Sequence, residues 1–136
     1  MQRILYRTIA INNDGVNGTV FLDDGTKYIV SSPLKNEVGT NPEQLLAASF
    51  STCLSETLRV VLLHSRKRNP YKVEVSVALI ADEIEKGYQF LVHAKLAVKD
   101  VDLAETALFL AETKKRCPVS RLLLDHKNVS YEAVLY

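Results

Sequence analysis

The chain has 136 residues, which fits one domain because single hydrophobic cores usually serve about 100 to 200 residues. Its 47% hydrophobic and 24% charged residues exclude a disordered chain and a coiled coil. The 17 lysines and arginines against 16 acidic residues leave a net charge of +1, so no overall field attracts nucleic acid or an anionic membrane. We therefore predict a single globular domain over residues 1–136 whose partners are held by a local site.

The sequence also carries no pattern of export or membrane insertion. The first ten residues have charges within their apolar stretch and no small-residue cleavage site, unlike a secretory signal. The most apolar window, around residues 45–63, is interrupted by serines and by Glu56 and Arg59, which argues against a membrane span. Two cysteines are too few for a secreted disulfide scaffold. We expect a soluble, cytoplasmic protein.

The first third of the chain is typical of a β-meander. Short apolar stretches at 3–11, 18–22 and 26–32 are separated by turn sequences that end in Gly15 and Gly25. The following segment, 33–40, has no periodicity and is predicted to be a loop.

Residues 41–64 give the clearest helix signal. Asn41 suits an N-cap, Pro42 the first helical position and Glu43 the acidic first turn. Cations and then Pro70 follow the predicted end. Apolar residues lie on more than one side of this helix, so we expect it to be mostly buried.

The remainder predicts a long hairpin, two helices and a last strand. Alternating apolar residues run over 71–79 and 88–98 and predict two strands. Asp102 is predicted to cap a helix over 103–116, and a short helix follows from Pro118 to about residue 125. Alternation returns from 129 to 135. Because the strands cluster and do not alternate with helices, the fold class is α+β, with antiparallel β-sheets packed around a long central helix.

Local chemistry singles out Cys117 among the candidate site residues. It stands at the predicted N-cap of the last helix with Arg116 and Arg121 nearby in sequence, which favours a thiolate; a buried thiol at a helix junction explains the same pattern equally well. Cys53 lies deep in the long helix, and its local sequence is typical of a core residue. Glu43 by itself needs no role beyond complementing the helix dipole.

No metal or nucleotide site is predicted. The three histidines, at 64, 93 and 126, stand singly, without the spacing of zinc ligands. No glycine-rich loop follows a strand, and no serine lies in a hydrolase motif. We therefore expect neither a metal nor a cofactor.

Two separated motifs resemble one known family. The segment Gly39-Thr40-Asn41-Pro42-Glu43-Gln44-Leu45-Leu46-Ala47-Ala48, continued to Ser51-Thr52-Cys53, is similar to the reactive-cysteine helix of the OsmC/Ohr family, the osmotically inducible and organic hydroperoxide resistance proteins. Arg116-Cys117-Pro118-Val119-Ser120 resembles the family's second-cysteine motif, of the OsmC-like type. With the order of elements, the resemblance extends over nearly the whole chain.

The resemblance implies a thiol peroxidase. The cysteine matching Cys53 would attack an organic hydroperoxide, or hydrogen peroxide, and become a sulfenic acid. The cysteine matching Cys117 would then form a disulfide with it, which a small or lipoyl-type dithiol reduces. The resemblance thus reverses the local interpretation of Cys53 as a core residue. It also implies an intertwined homodimer with a site at its interface and a role in oxidative stress defence.

Glu43 matches a family glutamate that positions a catalytic arginine. Ten residues of straight helix separate it from Cys53 by about 15 Å, so we expect contact only through a cation or across a subunit boundary. The arginine of Ohr-type members is missing near Val16, and four cations could replace it: Arg7, Lys35, Arg116 and Arg121. We expect one of them to approach Cys53 and lower its pKa. The missing arginine also motivates an alternative, a non-peroxidatic protein of the same fold that binds an apolar small molecule in the dimer cleft.

Overall fold

The computed structural model describes residues 2–136, which divide into two compact units, one ending at Pro42 and the other spanning Glu43–Tyr136. The first unit is an antiparallel sheet of three short strands in the order β1-β2-β3: β1 Ala10–Asn12, β2 Gly18–Leu22 and β3 Lys27–Val30. Gly15 and Gly25 occupy the connecting turns with φ of 69° and 93°, a backbone region that glycine adopts without strain. The predicted meander is confirmed.

The prediction of a first strand over residues 3–11 is wrong in its extent, because β1 begins only at Ala10. Ala10 pairs with Leu22, and β2 ends there because the turn to β3 begins at Asp23. Residues 2–9 therefore lie outside the strands of this sheet, although the Ile9 carbonyl accepts a hydrogen bond from the Asp23 N–H at 3.0 Å. Large apolar side chains in this segment are exposed: Ile4, Leu5, Tyr6 and Ile9.

The second unit contains the long helix, a second sheet and two shorter helices. Its elements are α1 Pro42–His64, β4 Tyr71–Asp82, β5 Gly87–Val98, α2 Leu103–Arg116, α3 Pro118–Leu122 and β6 Val129–Ala133. The bounds of α2 are those predicted. Asp102 Oδ1 accepts a hydrogen bond from the Glu105 N–H at 2.8 Å and so caps the start of the helix. The predicted α+β fold with a central helix is confirmed.

β4 and β5 form the expected hairpin, but the last strand pairs differently from the prediction. β4 and β5 are antiparallel along their whole length, from Tyr71 opposite Val98 to Asp82 opposite Gly87. β6 lies parallel to β5, so the second sheet is mixed and not purely antiparallel. The physical reason is the connection between the two strands. A parallel neighbour requires a crossover, and here α2 and α3 form it by carrying the chain back along the sheet.

One face of α1 packs against the second sheet. Leu58, Val61 and Leu62 share a cluster with Leu96 and Val98 of β5 and with Phe109 of α2, and a second cluster surrounds Phe50 and Leu54. In the chain as described, five of the 23 helical residues are buried, so the expectation of a mostly buried helix is wrong. Among the described residues, α1 is the one helix long and apolar enough to cross a membrane by length and composition, but here its apolar face is part of the core.

Candidate active site: a buried cysteine pair

Cys53 lies on the flank of α1, between its buried and exposed faces. Leu54 next to it is buried, whereas Thr52 on its other side is exposed, and Cys53 itself is half-buried. Its backbone carbonyl accepts hydrogen bonds from within the helix, including one from the Thr57 hydroxyl at 2.9 Å. The thiol is thus held on a regular helix at the edge of the core.

Cys117 occupies the junction between α2 and α3. Its N–H donates to the Thr113 carbonyl at 2.9 Å and closes α2, while its own carbonyl accepts from the Arg121 N–H at 3.0 Å and opens α3. Pro118 follows at the first helical position, where a missing N–H costs nothing. The Cys117 side chain is fully buried and Arg116 and Arg121 are both exposed, as in the buried-thiol interpretation.

The fold brings the two thiols into contact. Cys117 Sγ lies 3.0 Å from Cys53 Sγ, and the two thiols share a hydrogen bond. The Val119 N–H donates a second hydrogen bond to Cys53 Sγ. Both cysteines are reduced. A pair at this separation needs little rearrangement to form a disulfide bond.

The electrostatic surroundings of Cys53 differ from the expectation. Burial is the largest cause that raises the pKa of the Cys53 thiol, followed by the hydrogen bond between the two thiols; the Val119 N–H lowers the pKa, and charge on Cys117 raises it. The expectation of a lowered pKa is therefore wrong for the chain as described. No cation is among the causes, and Arg116 Nη1 instead lies 3.1 Å from His64 Nδ1.

Glu43 lies in the first turn of α1, and its Oε2 is buried without a hydrogen-bond partner. Because α1 is one continuous helix, ten residues place Glu43 about 15 Å from Cys53 along the axis. The structure therefore brings Cys117 to Cys53 but does not bring Glu43 to it along this helix.

Three residues near the thiols were not identified from the sequence. Val119 could have been found, since the N–H groups in the first turn after Pro118 have no helical partner. Ser120 is buried, and its hydroxyl accepts a hydrogen bond from Tyr131 at 3.1 Å. No sequence signal connects Tyr131, on the last strand, with the second-cysteine motif.

A cavity of about 360 Å³ opens beside the same apolar cluster. Five of its lining residues also pack in the cluster that contains both cysteines: Leu46, Phe90, Val92, Leu123 and Val129. Polar side chains complete the lining: Gln89, His126, Lys127 and Asn128. Neither cysteine lines the cavity itself.

The three histidines make their side-chain contacts with residues other than the two cysteines. His93 contacts Ser130 Oγ at 2.7 Å and Glu132 Oε2 at 3.0 Å, and His126 Nδ1 accepts from the Asn128 N–H at 3.1 Å. Within residues 2–136, no three His, Cys, Asp or Glu side chains are grouped to hold a metal ion.

Comparison with known proteins places the chain in a family. The model of the OsmC-like protein family matches residues 34–132. The organic hydroperoxide resistance protein-like 2 of Staphylococcus epidermidis is 30% identical over 129 residues, which cover 89% of each chain. The organic hydroperoxide resistance protein OhrA of Bacillus subtilis is 30% identical over 98 residues, which cover 72% of this chain and 70% of that protein.

Solved structures show the same fold. A candidate redox protein from Lactobacillus casei is 42% identical and superimposes with a TM-score of 0.92 over 98% of this chain and 94% of its own. The organic hydroperoxide resistance protein OhrB of Bacillus subtilis is 26% identical, with a TM-score of 0.86 over 98% of this chain and 100% of its own. The chain is therefore a member of the OsmC-like family, related to the organic hydroperoxide resistance proteins.

Proposed function

We propose that the chain is a thiol-dependent peroxidase that reduces organic hydroperoxides, with Cys53 as the attacking and Cys117 as the resolving cysteine. The separation of 3.0 Å between Cys53 Sγ and Cys117 Sγ carries the proposal. Relatives named organic hydroperoxide resistance proteins support the substrate class. Cys53 is the half-buried thiol and Cys117 the fully buried one, which favours Cys53 as the sulfur that meets a substrate.

The reaction is a two-electron exchange in three steps. The Cys53 thiolate attacks the distal oxygen of the hydroperoxide, the O–O bond breaks, and the alcohol leaves with a proton while Cys53 becomes a sulfenic acid. Cys117 then attacks the Cys53 sulfur, a disulfide forms and water leaves. A small or lipoyl-type dithiol finally attacks the disulfide, is itself oxidised to a disulfide, and returns both thiols.

The cavity next to the cysteine cluster suits the organic part of such a substrate. Its apolar side chains, including Phe90 and Leu123, would take up the hydrocarbon group. A hydroperoxide without an organic group has no such contact, so we propose a preference for organic hydroperoxides over hydrogen peroxide.

Attack requires a thiolate, and burial of Cys53 opposes its formation. A cation from elsewhere would offset this cost. Arg116 contacts His64 and Arg121 is exposed, so neither supplies this cation in the chain as described.

We also propose that the active protein is a cytoplasmic homodimer. Residues 2–9 lie outside the described strands and expose Ile4, Leu5 and Tyr6, at 63%, 83% and 80% of their surfaces. Such an apolar segment is costly in water and suits a strand added to a second copy of the chain. Sedimentation at micromolar concentration is expected to give a dimer, and a stable monomer would contradict this part of the proposal.

Turnover tests the enzymatic proposal. The purified protein is expected to consume cumene hydroperoxide with dithiothreitol or dihydrolipoamide as reductant, and the Cys53→Ser variant is expected to be inactive. Ser49→Ala, one turn earlier on α1 and exposed, is a control that retains activity. Full peroxidase activity of Cys53→Ser would refute the mechanism.

The raised pKa of Cys53 and the apolar cavity favour one alternative, a protein that binds an apolar small molecule without turning over peroxide. That function predicts no peroxide consumption and saturable binding of an apolar fluorescent dye that weakens in Leu123→Gln. The two activities are measured on the same preparation.

A further inference from the structure

Tyr131 on β6 contacts all three helices that surround the thiols. Its hydroxyl donates a hydrogen bond to Ser120 Oγ of α3 at 3.1 Å. Its ring meets Phe50 of α1 edge to face, with centroids 6.0 Å apart, and Lys114 Nζ of α2 lies 4.5 Å from the ring centroid. The residue therefore joins α1, which carries Cys53, to the α2–α3 junction, which carries Cys117.

The hydrogen bond from Tyr131 to Ser120 holds α3, which is the shortest helix of the site. α3 has only five residues, and a helix of that length is not stable without tertiary contacts. Ser120 follows Val119, whose N–H donates to Cys53 Sγ, and comes three residues after Cys117. Ser120 is 1% exposed, so water cannot replace the tyrosine as its partner.

We infer that Tyr131 is a positioning residue for the cysteine pair: its hydroxyl holds Ser120, and thereby keeps the Val119 N–H and the Cys117 thiol against Cys53 Sγ. The inference rests on the proposed function for its biological meaning, but its geometry concerns the two thiols alone. The aromatic ring serves packing, through Phe50 and Lys114, and the hydroxyl serves alignment.

Tyr131→Phe separates these two roles because it removes the hydroxyl and keeps the ring. Ser120 Oγ then loses its donor, and the first turn of α3 gains freedom to move away from Cys53. The Val119 hydrogen bond, which lowers the pKa of Cys53, and the contact with Cys117, which raises it more, both weaken. Contact between the two sulfur atoms becomes less frequent.

Two readouts test the inference without peroxide. The first is the pH midpoint at which iodoacetamide alkylates Cys53, followed by mass spectrometry of its peptide; Tyr131→Phe is expected to move it downward by about 0.5 unit, a roughly threefold gain of thiolate at neutral pH, because the contact with Cys117 that raises the pKa outweighs the Val119 N–H that lowers it. The second is the rate of disulfide formation with diamide, which takes two electrons and two protons from the thiols; it is expected to fall about fivefold or more despite the added thiolate, because the two sulfur atoms meet less often. Tyr88→Phe, at an exposed tyrosine of the same sheet, is the matched control and should change neither.

Ser120→Ala removes the acceptor of the same hydrogen bond and provides a second, independent variant. It is expected to reproduce both effects, and the double variant should be no worse than either single one, since both remove one interaction. If Tyr131→Phe does not fold, Ser120→Ala decides the question.

A lowered melting temperature with wild-type alkylation midpoint and diamide rate would overturn the inference, because it would show a structural role alone. The inference would also be overturned if the effects of Tyr131→Phe and Ser120→Ala on these readouts were fully additive in the double variant. Because neither readout uses a hydroperoxide, failure of the proposed peroxidase function is distinguishable: turnover would be absent while the dependence on Tyr131 remained.

Discussion

Arg116 and His64 meet at the ends of two helices, with Arg116 Nη1 3.1 Å from His64 Nδ1. The guanidinium that directly precedes Cys117 in sequence is thus directed to the end of α1 and not to the thiol pair. Sequence proximity alone favoured Arg116 as a partner for a thiolate. The contact with His64 explains why the cation does not lower the pKa of Cys53.

Removing the Arg116 charge should therefore leave Cys53 unchanged. Arg116→Gln is expected to shift the pH midpoint of Cys53 alkylation by less than about 0.2 unit, since the guanidinium is directed to His64 and no cation is among the causes of the Cys53 shift. Arg121→Gln, on exposed α3, is the matched comparison. A rise of half a unit or more in Arg116→Gln would show that the guanidinium reaches the thiol.

The raised pKa of Cys53 predicts alkaline reactivity and an alkaline loss of stability. Alkylation of Cys53 should have its midpoint above that of an ordinary thiol, about 8.5, because burial disfavours the thiolate. A raised pKa in the folded state means that the folded protein holds the proton more tightly than the unfolded chain. The contribution to folding is thus fully present below the ordinary thiol pKa and is lost as the pH rises through the folded one.

Alkylation rates and urea unfolding of the reduced protein between pH 7 and 10 check both statements. A midpoint well below 8.5 would contradict the first and would indicate that a cation such as Arg7 or Lys35 reaches Cys53 in the assembled protein.

The core beneath α1 should be sensitive to truncation. Leu58 is fully buried between α1 and the second sheet, so Leu58→Ala is expected to lower the free energy of unfolding by about 2 to 5 kcal/mol, through lost burial and the cavity left behind. Leu108→Ala, at a leucine of α2 that is 71% exposed, should stay within about 0.5 kcal/mol. Urea unfolding at one fixed protein concentration measures both. Equal effects of the two would contradict the described packing.

Loss of the resolving cysteine should leave the first oxidation intact. In Cys117→Ser, one equivalent of hydroperoxide is expected to convert Cys53 to a sulfenic acid that a dimedone reagent traps, because no second thiol is within reach. Excess hydroperoxide should then give the sulfinic and sulfonic acids, seen as mass increases on the Cys53 peptide. A Cys53 that stays reduced under these conditions would show that it is not the attacking residue.

Most of the fold could be predicted because its elements carry strong local patterns. The strict alternation from Tyr71 gave the long hairpin, and Asp102 with the cations at the end of α2 gave both bounds of that helix. The extent of β1 and the parallel pairing of β6 were missed, since both depend on which strand lies alongside and not on the strand's own residues.

The site, like the fold, could be predicted from the sequence only in part. Cys53 and Cys117 were identified from motifs, but the contacts that tune them come from residues far apart in sequence. Tyr131 reaches Ser120 only because the chain returns through α3 to β6, and the desolvation that raises the pKa of Cys53 is a property of the packed core. The expected cation effect failed for this reason: proximity in sequence to Cys117 did not bring Arg116 to the thiols.

The central claim is that Cys53 and Cys117 form a peroxide-dependent pair, and the disulfide itself tests it most directly. The reduced protein is treated with one equivalent of cumene hydroperoxide, digested with trypsin without reductant, and searched by mass spectrometry for the peptides 36–59 and 117–121 joined through their cysteines. The proposed mechanism predicts that this linked pair becomes the dominant product and disappears with dithiothreitol. Two unlinked peptides, with both thiols still free or each oxidised alone, would contradict it.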